Sequence, residues 1–334
     1  MFFEGSEKKV EIVIKSTSLS LIDDINDDFW HSLVQKAGAQ ILSCITSSEC
    51  KAFILSESSL FIWHNRFILL TCGVTNLVDS VQYFFDKQGR DSVDYLIYQR
   101  KNEYYSYAQP SCFIDDVDTL NKYITGKALR FGDMDSHHTF LFYTLPDKVF
   151  NQLPKSEPEK LINKSSVTKA KGVSYEFQAY HISQSVTNIF TKQNITTDEI
   201  RVFLQLNTLL PDFTIDDHIF NPYGYSVNAI KEDKYFTIHI TPQKESSFVS
   251  IESNINLIEL SPIIIEMFEP KAFDVLCFND KNFKSLLTQY INKNYLTKTL
   301  VEQKLAHGGY AYFASYVLPQ TEFTHATPLN LQTS

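Results

Sequence analysis

The sequence predicts an α+β fold of layered antiparallel sheets with helices packed against them. Three observations lead there. Short apolar or alternating runs of strand length recur and come in hairpin-spaced pairs. Amphipathic stretches with helical period lie between them. The same mixed order stands on both sides of one polar, proline-bearing break at residues 151–172, so the sheets are antiparallel with helices on one face. With 334 residues, 43% hydrophobic and 14% aromatic, the chain has material for a large core.

Taken in order, residues 9–15 alternate Val10, Ile12 and Ile14 as a first strand. Trp30, Leu33, Val34, Ala37, Ile41 and Leu42 recur every three or four residues, which predicts a helix over 27–43 capped by Asp27 or Asp28. Apolar runs at 52–55, 60–63 and 67–70 read as strands, with a turn at His64-Asn65-Arg66. Thr75 is positioned to cap a helix over 76–88 that Gly89 ends. A strand at 94–100, a short helix near 116–124 and strands near 127–132 and 139–144 complete the first half. The second half reads as strand 174–182, helix 197–206, strands 235–241 and 247–252, helix 261–269, strand 272–278, helix 281–291 and a strand pair at 297–305 and 309–317. The expected organisation is one domain over 1–320, with similar halves at about 1–150 and 173–320, linker 151–172 and a polar tail 321–334.

Composition narrows the function. A net charge of −9 and no basic patch argue against a nucleic-acid partner. No run approaches the roughly 18 apolar residues of a membrane span. Five scattered cysteines without a CxxC pair, and no ordered signal peptide, point to a reducing cytosol. Phosphate loops and a GxSxG elbow are absent, and adjacent His137-His138 would point to opposite faces of a strand, so no metal site is expected.

The stretch Leu55-Ser56-Glu57-Ser58-Ser59-Leu60-Phe61 stands out. Three serines around one glutamate interrupt two apolar runs where a strand would alternate, and Thr71-Cys72-Gly73 follows. His239 alternates with Ile238 and Ile240; taken singly it reads as an ordinary strand histidine, and Cys72 as a small buried hydrophobe.

Taken together and in order, the segments resemble eukaryotic S-adenosylmethionine decarboxylase. The blocks are Phe2-Phe3-Glu4-Gly5-Ser6-Glu7-Lys8, residues 55–61, Thr71-Cys72-Gly73, Phe220-Asn221-Pro222-Tyr223-Gly224-Tyr225-Ser226, Thr237-Ile238-His239-Ile240-Thr241-Pro242 and Val249-Ser250-Ile251-Glu252. The resemblance implies a four-layer αββα sandwich. It implies autocatalytic cleavage between Glu57 and Ser58: the Ser58 hydroxyl attacks the Glu57 carbonyl, His239 removes the Ser58 α-proton, Ser226 steadies the tetrahedral intermediate, and residue 58 becomes a pyruvoyl group. The substrate amine would then form a Schiff base with that group, which accepts the electrons left by CO2. Cys72 falls at the family's proton-donor position. Phe3 and Phe220 match the rings that sandwich adenine, Glu4 and Glu7 the active-site acids, and Leu55 and Glu57 backbone contacts in the same pocket. The product would be the aminopropyl donor for spermidine and spermine.

Two departures matter. Gln243 stands where the family usually has a glutamate that grips the ribose hydroxyls, so that grip is expected to be weaker. Glu11 and Glu252 match the family's buried putrescine site, but Leu70 replaces a lysine and Pro146 an aspartate, so putrescine is not expected to activate. The family includes both dimers and monomers, so a homodimer of processed heterodimers is one arrangement the resemblance allows. The rival expectation is a non-processing regulatory partner, against which stands the retention of Ser58, Cys72, Ser226 and His239 together.

Overall fold

The computed structural model describes residues 3–15, 19–134, 137–145, 172–243, 246–306, 308–321 and 323. The linker 151–172 apart from Gly172, Pro146, and the tail apart from Thr321 and Phe323 lie outside the described residues.

The first half contributes β1 (Lys8–Ile14), β2 (Ile41–Thr46), β3 (Cys50–Leu55), β4 (Ser58–Trp63), β5 (Arg66–Thr71), β6 (Val93–Lys101), β7 (Gly126–Phe131) and β8 (Thr139–Thr144). The second contributes β9 (Ser174–Tyr180), β10 (Thr214–Ile219), β11 (Tyr225–Lys231), β12 (Lys234–Thr241), β13 (Phe248–Ser253), β14 (Ala272–Phe278), β15 (Leu296–Lys304) and β16 (Tyr310–Val317). The first sheet runs β2-β3-β4-β5-β1-β6-β8-β7 and the second β10-β11-β12-β13-β9-β14-β16-β15. Raising each strand number by eight turns one order into the other, and every strand pair is antiparallel. The halves therefore repeat one topology.

Strand alternation builds the layers. On β1, Val10, Ile12 and Ile14 face outward and join Trp30 and Leu33 of α1 (Asp27–Lys36), Val81 and Phe84 of α2 (Leu77–Gln88) and Phe113 of α3 (Phe113–Leu120) in one core. On β12, Phe236, Ile238 and Ile240 face the opposite outer side. There they meet the other helices: α4 (Gln184–Phe190), α5 (Thr197–Phe203), α6 (Leu206–Leu209), α7 (Leu257–Phe268) and α8 (Phe283–Tyr290). The inner faces meet through two smaller apolar clusters: Phe61, Trp63 and Leu70 against Ile230 and Tyr235, and Ile97 and Phe131 against Leu276 and Phe313. The expected sandwich with helices outside is what forms.

Between those clusters the middle layer is charged. Lys9 Nζ lies 2.7 Å from Glu176 and 2.8 Å from Glu252, and Lys101 Nζ lies 2.7 Å from Asp274. Burial works against a charged Lys9, but the two carboxylates outweigh it and raise its pKa. Removing one member of such a set leaves buried charge uncompensated.

Several boundaries differ from expectation. The helix at 27–43 stops at Lys36, because Gly38 adopts φ +86 and Ile41 begins β2, which pairs with β3. Its cap is Asn26, which accepts from Phe29 N–H, rather than Asp27 or Asp28. Thr75 does not cap α2; its hydroxyl is hydrogen-bonded to Thr71 Oγ1 and to the Cys72 carbonyl. The helix placed at 261–269 starts four residues earlier, at Leu257, where Asn256 caps it and Pro262 sits in its interior. Strands β10 and β11 and helix α4 are elements that the sequence pattern does not mark.

Candidate active site

The serine cluster sits on a tight hairpin. Leu55 ends β3, Ser58 opens β4, the two face each other in register, and only Ser56 and Glu57 make the turn. Such a turn asks for residues that tolerate positive φ. Here the strain falls on Ser58, at φ +133. Outliers of this kind cost about 1–3 kcal/mol. Ser58 is also 2% exposed, so its surroundings hold it there.

The carbonyl before Ser58 is unusually well bound. Glu57 O accepts the Cys72 N–H at 2.8 Å and the Cys72 thiol at 3.3 Å. This follows from register: Ser58 pairs with Thr71 across β4 and β5, so the residue after Thr71 meets the residue before Ser58. Two donors on one carbonyl oxygen draw electron density from its carbon.

Gly73 shows why the next position lacks a side chain. At φ +65, an added Cβ would lie 2.7 Å from the Glu57 carboxylate and 3.1 Å from the Phe3 ring. Phe3 and the Glu57 carboxylate thus both close on Gly73, the neighbour of Cys72. Glu4 is buried there, its carboxylate accepting the Ser6 and Tyr105 N–H groups, and its carbonyl accepts Gly73 N–H.

The acids are tuned by burial. Glu7 lies 3.4 Å from the Ser58 hydroxyl; burial, with Glu252 and Glu176 adding to it, pushes its pKa up to about 8 against a hydrogen bond from Ser250. Burial raises the half-buried Glu57 carboxyl to about 6, and its Oε2 has no hydrogen-bond partner. Burial first, then the Glu57 and Glu7 carboxylates, hold the Cys72 thiol well above the usual thiol range, so it stays protonated.

The facing sheet supplies the imidazole. On β12, Thr237 and His239 share the inner face; on β11, Asn228 and Ser226 stand opposite them in register. Ser226 Oγ lies 2.7 Å from His239 Nδ1, while Thr237 Oγ1 at 2.9 Å and Ser59 Oγ at 3.3 Å flank Nε2. Ser59 also donates to Asn228 at 2.7 Å, which ties the two sheets together. Burial drops the His239 pKa to about 3, so the ring is neutral at every working pH.

Ser58, Cys72, Glu4, Glu7, Leu55, Glu57 and Phe3 therefore gather at one end of the first sheet, while Ser226 and His239 face them through Ser59. The ring nitrogens of His239 meet Ser226, Ser59 and Thr237 rather than Ser58. Phe220 follows β10 and is partly buried, its ring 4.7 Å edge-on from His218 and its Cβ beside Gly224. Gln243 hydrogen-bonds Phe3. Glu252 is in the charged middle layer, but Glu11 pairs with Arg66 at 3.1 Å instead.

Four nearby residues are given no role by the sequence. Ser59, Thr237 and Asn228 are hidden because polar residues on one strand face read as solvent-facing; their i, i+1 or i, i+2 spacing from Ser58, His239 and Ser226 is the available signal. Lys8 is buried, its Nζ 2.7 Å from Gln109 Oε1 and 3.4 Å from the Gly73 carbonyl, and burial lowers its pKa to about 8. Among the described residues no cluster could hold a metal ion, and no helix is long and apolar enough to cross a membrane.

The family model described as Adenosylmethionine decarboxylase matches residues 1–322. The S-adenosylmethionine decarboxylase proenzyme of Leishmania donovani is 30% identical over 291 residues, 83% of this chain and 73% of that protein. The Drosophila melanogaster proenzyme is 28% identical over 345 residues, 97% of this chain and 96% of that one. Among solved structures, the Trypanosoma brucei AdoMetDC-delta26 monomer superposes with a TM-score of 0.57 at 23% identity, over 78% of this chain and 99% of that one, a likeness of fold.

Proposed function

The chain belongs to the adenosylmethionine decarboxylase family, and from that premise we propose that it decarboxylates S-adenosylmethionine after cutting itself between Glu57 and Ser58. The observation that carries this reading is the backbone at that bond: a strained Ser58 joined to a carbonyl held by two Cys72 donors. Strain raises the energy of the intact chain, and the donors stabilise negative charge on the oxygen under attack.

Each self-processing step then has a residue. The Ser58 Oγ adds to the Glu57 carbonyl carbon, the C–N bond breaks, and the proton passes to the freed amine, leaving an ester. Neutral His239 takes the Ser58 α-proton, with Ser59 as the contact between that ring and the cleavage strand. Glu57 leaves as a carboxylate, and water then replaces the amine as ammonia. Ser226 fixes the imidazole through Nδ1, which adds to the stabilising role inferred from the resemblance.

The residues fit a pyruvoyl group at position 58. Glu7, largely protonated below pH 8, stands beside it, and Glu57 and Cys72 line the approach. That group supplies a ketone able to take up the electrons released as CO2 departs. Cys72, kept as a thiol, returns a proton to the substrate α-carbon. Phe3 and Phe220 hold the adenine between them, Leu55 and Glu57 contribute backbone contacts, and the carboxyls of Glu4 and Glu7 meet the cationic substrate.

We read the two sheets as halves of one domain, acting in a reducing, cytosolic setting, with all five cysteines free. Putrescine is not needed in this reading: Lys9 and Lys101 already place two ammonium groups among Glu176, Glu252 and Asp274, with Leu70 lining the same small cavity. A denaturing gel tests the cleavage. Purified protein should run as two pieces, 1–57 and 58–334, and Ser58→Ala as one band without decarboxylase activity. An uncleaved wild type would favour a regulatory partner, and activity surviving in Ser58→Ala would end the pyruvoyl reading.

A further inference from the structure

Gln243 does not present a free amide to the pocket. Phe3 N–H donates to its Oε1 at 3.1 Å, and its Nε2 donates back to the Phe3 carbonyl. The amide orientation is fixed by this pairing, because a backbone N–H requires an acceptor and a backbone carbonyl requires a donor. A carboxylate could serve only the first partner and would face the carbonyl with a second acceptor.

The pairing joins the two sheets at their end. Gln243 follows β12 in the second sheet, and Phe3 precedes β1 in the first. Their approach is close: a Cβ on Gly5 would fall 2.9 Å from Thr241 Oγ1 and 3.3 Å from Phe248 Cβ. On its other side the Phe3 ring touches Gly73, next to Cys72. Phe3 itself is 40% exposed, so burial does not fix it. The backbone clasp holds it at one side and the Gly73 contact at the other, next to Glu4, whose carbonyl accepts the Gly73 N–H.

We infer that Gln243 is a positioning residue: its carboxamide holds the backbone of Phe3 and so sets that ring over the pocket, instead of gripping the substrate's ribose. The inference rests on the reading of Phe3 as an adenine-binding ring. It reverses the expectation for one substitution. If Gln243 gripped the ribose, Gln243→Glu would restore a charged acceptor and tighten nucleoside binding. As a clasp, the same change breaks the Nε2 bond and sets two acceptors against the Phe3 carbonyl, so binding weakens.

Two measurements on the full-length protein test this, in wild type, Gln243→Glu and Gln243→Ala. The first is amide hydrogen exchange at Phe3, which needs no ligand. The second is affinity for 5′-methylthioadenosine and for its 2′,3′-dideoxy analogue. Exchange at Phe3 should quicken about tenfold in Gln243→Ala, the worth of roughly one hydrogen bond, and less in Gln243→Glu, whose carboxylate still accepts the Phe3 N–H. Both variants should lose a similar, severalfold affinity for the two nucleosides, because the ribose hydroxyls are not what Gln243 reads. Unchanged exchange at Phe3 in Gln243→Ala, or tighter binding of 5′-methylthioadenosine by Gln243→Glu, overturns the clasp. A wild type that binds neither nucleoside overturns the adenine-pocket reading instead, while exchange at Phe3 still decides the clasp.

Discussion

The thiol of Cys72 lies 3.3 Å from the carbonyl oxygen of Glu57, and the N–H of the same cysteine lies 2.8 Å from it. One residue thus meets the bond proposed for cleavage through both its backbone and its side chain. A cysteine assigned to decarboxylation would first serve in self-processing, through an N–H that every substitution except proline keeps. Cys72→Ala is therefore expected to cleave more slowly yet still to completion over hours, while its turnover falls at least tenfold. A complete block of cleavage in that variant would show that the thiol, not the N–H, polarises the carbonyl.

Strain at Ser58 gives a comparison between two inert variants. Ser58→Gly and Ser58→Ala both lack the nucleophile, but only glycine is at ease at φ +133. The glycine variant should be more stable by about 1 kcal/mol in urea unfolding, although glycine's looser unfolded state works against it. Equal stabilities would mean that the backbone at residue 58 relaxes at no cost.

Glu7 should leave a mark on stability. Its folded pKa of about 8 stands above the ordinary value of 4.5, so the folded state holds a proton that the unfolded state gives up. That contribution is present in full below pH 4.5 and is lost as pH rises toward 8. In Glu7→Gln the loss disappears. The melting temperature of the variant, minus that of the wild type, should rise steadily from pH 5 to pH 8.5; a difference independent of pH would contradict the burial of an ionisable carboxyl there.

The Cys72 thiol offers a second pH test, in uncleaved Ser58→Ala protein. Burial and the Glu57 carboxylate together hold it well above the usual thiol range. Iodoacetamide should leave Cys72 largely unmodified at pH 9 while labelling the exposed Cys44 and Cys112, as peptide mapping would read. Adding Glu57→Gln should speed Cys72 labelling severalfold at that pH. No change on adding it would remove Glu57 as an electrostatic neighbour.

Activity should be nearly equal with and without putrescine, since Lys9 and Lys101 occupy the acidic middle layer. Lys9→Ala should cost about 3–5 kcal/mol of stability by leaving Glu176 and Glu252 unpaired, and should become responsive to the added diamine. Strong stimulation of the wild type would show that the two lysines do not stand in for it.

What could be read from sequence follows what is local. The runs at 52–55, 60–63 and 67–70 show as strands because their apolar residues are contiguous, and Gly89 ends α2 by local chemistry at φ +76. Ile41 and Leu42 continue a helical period that Gly38 has already stopped, since spacing alone is blind to a positive φ. Strands β10 and β11 escape notice because Asp216, Asn228 and their neighbours point polar side chains into the protein. The charged layer is hidden for a related reason: Lys9 meets Glu176 and Glu252 only through the fold. The site residues are legible through matched blocks in order, whereas the commitment of Gln243 to Phe3, 240 positions away, is not.

The place of β1 has one more consequence. It is flanked by β5 and β6, and β3 is bonded to β4, so residues 1–57 are woven through strands that come after them in sequence. A cut after Glu57 would remove a covalent link but open no route by which the pieces can part. Dilution would not separate them, and a sizing column would register the same particle before and after. The proposed maturation would resemble unfastening one button on a garment already sewn at every other seam: the two polypeptides would be separate by their ends alone, and only unfolding would reveal it.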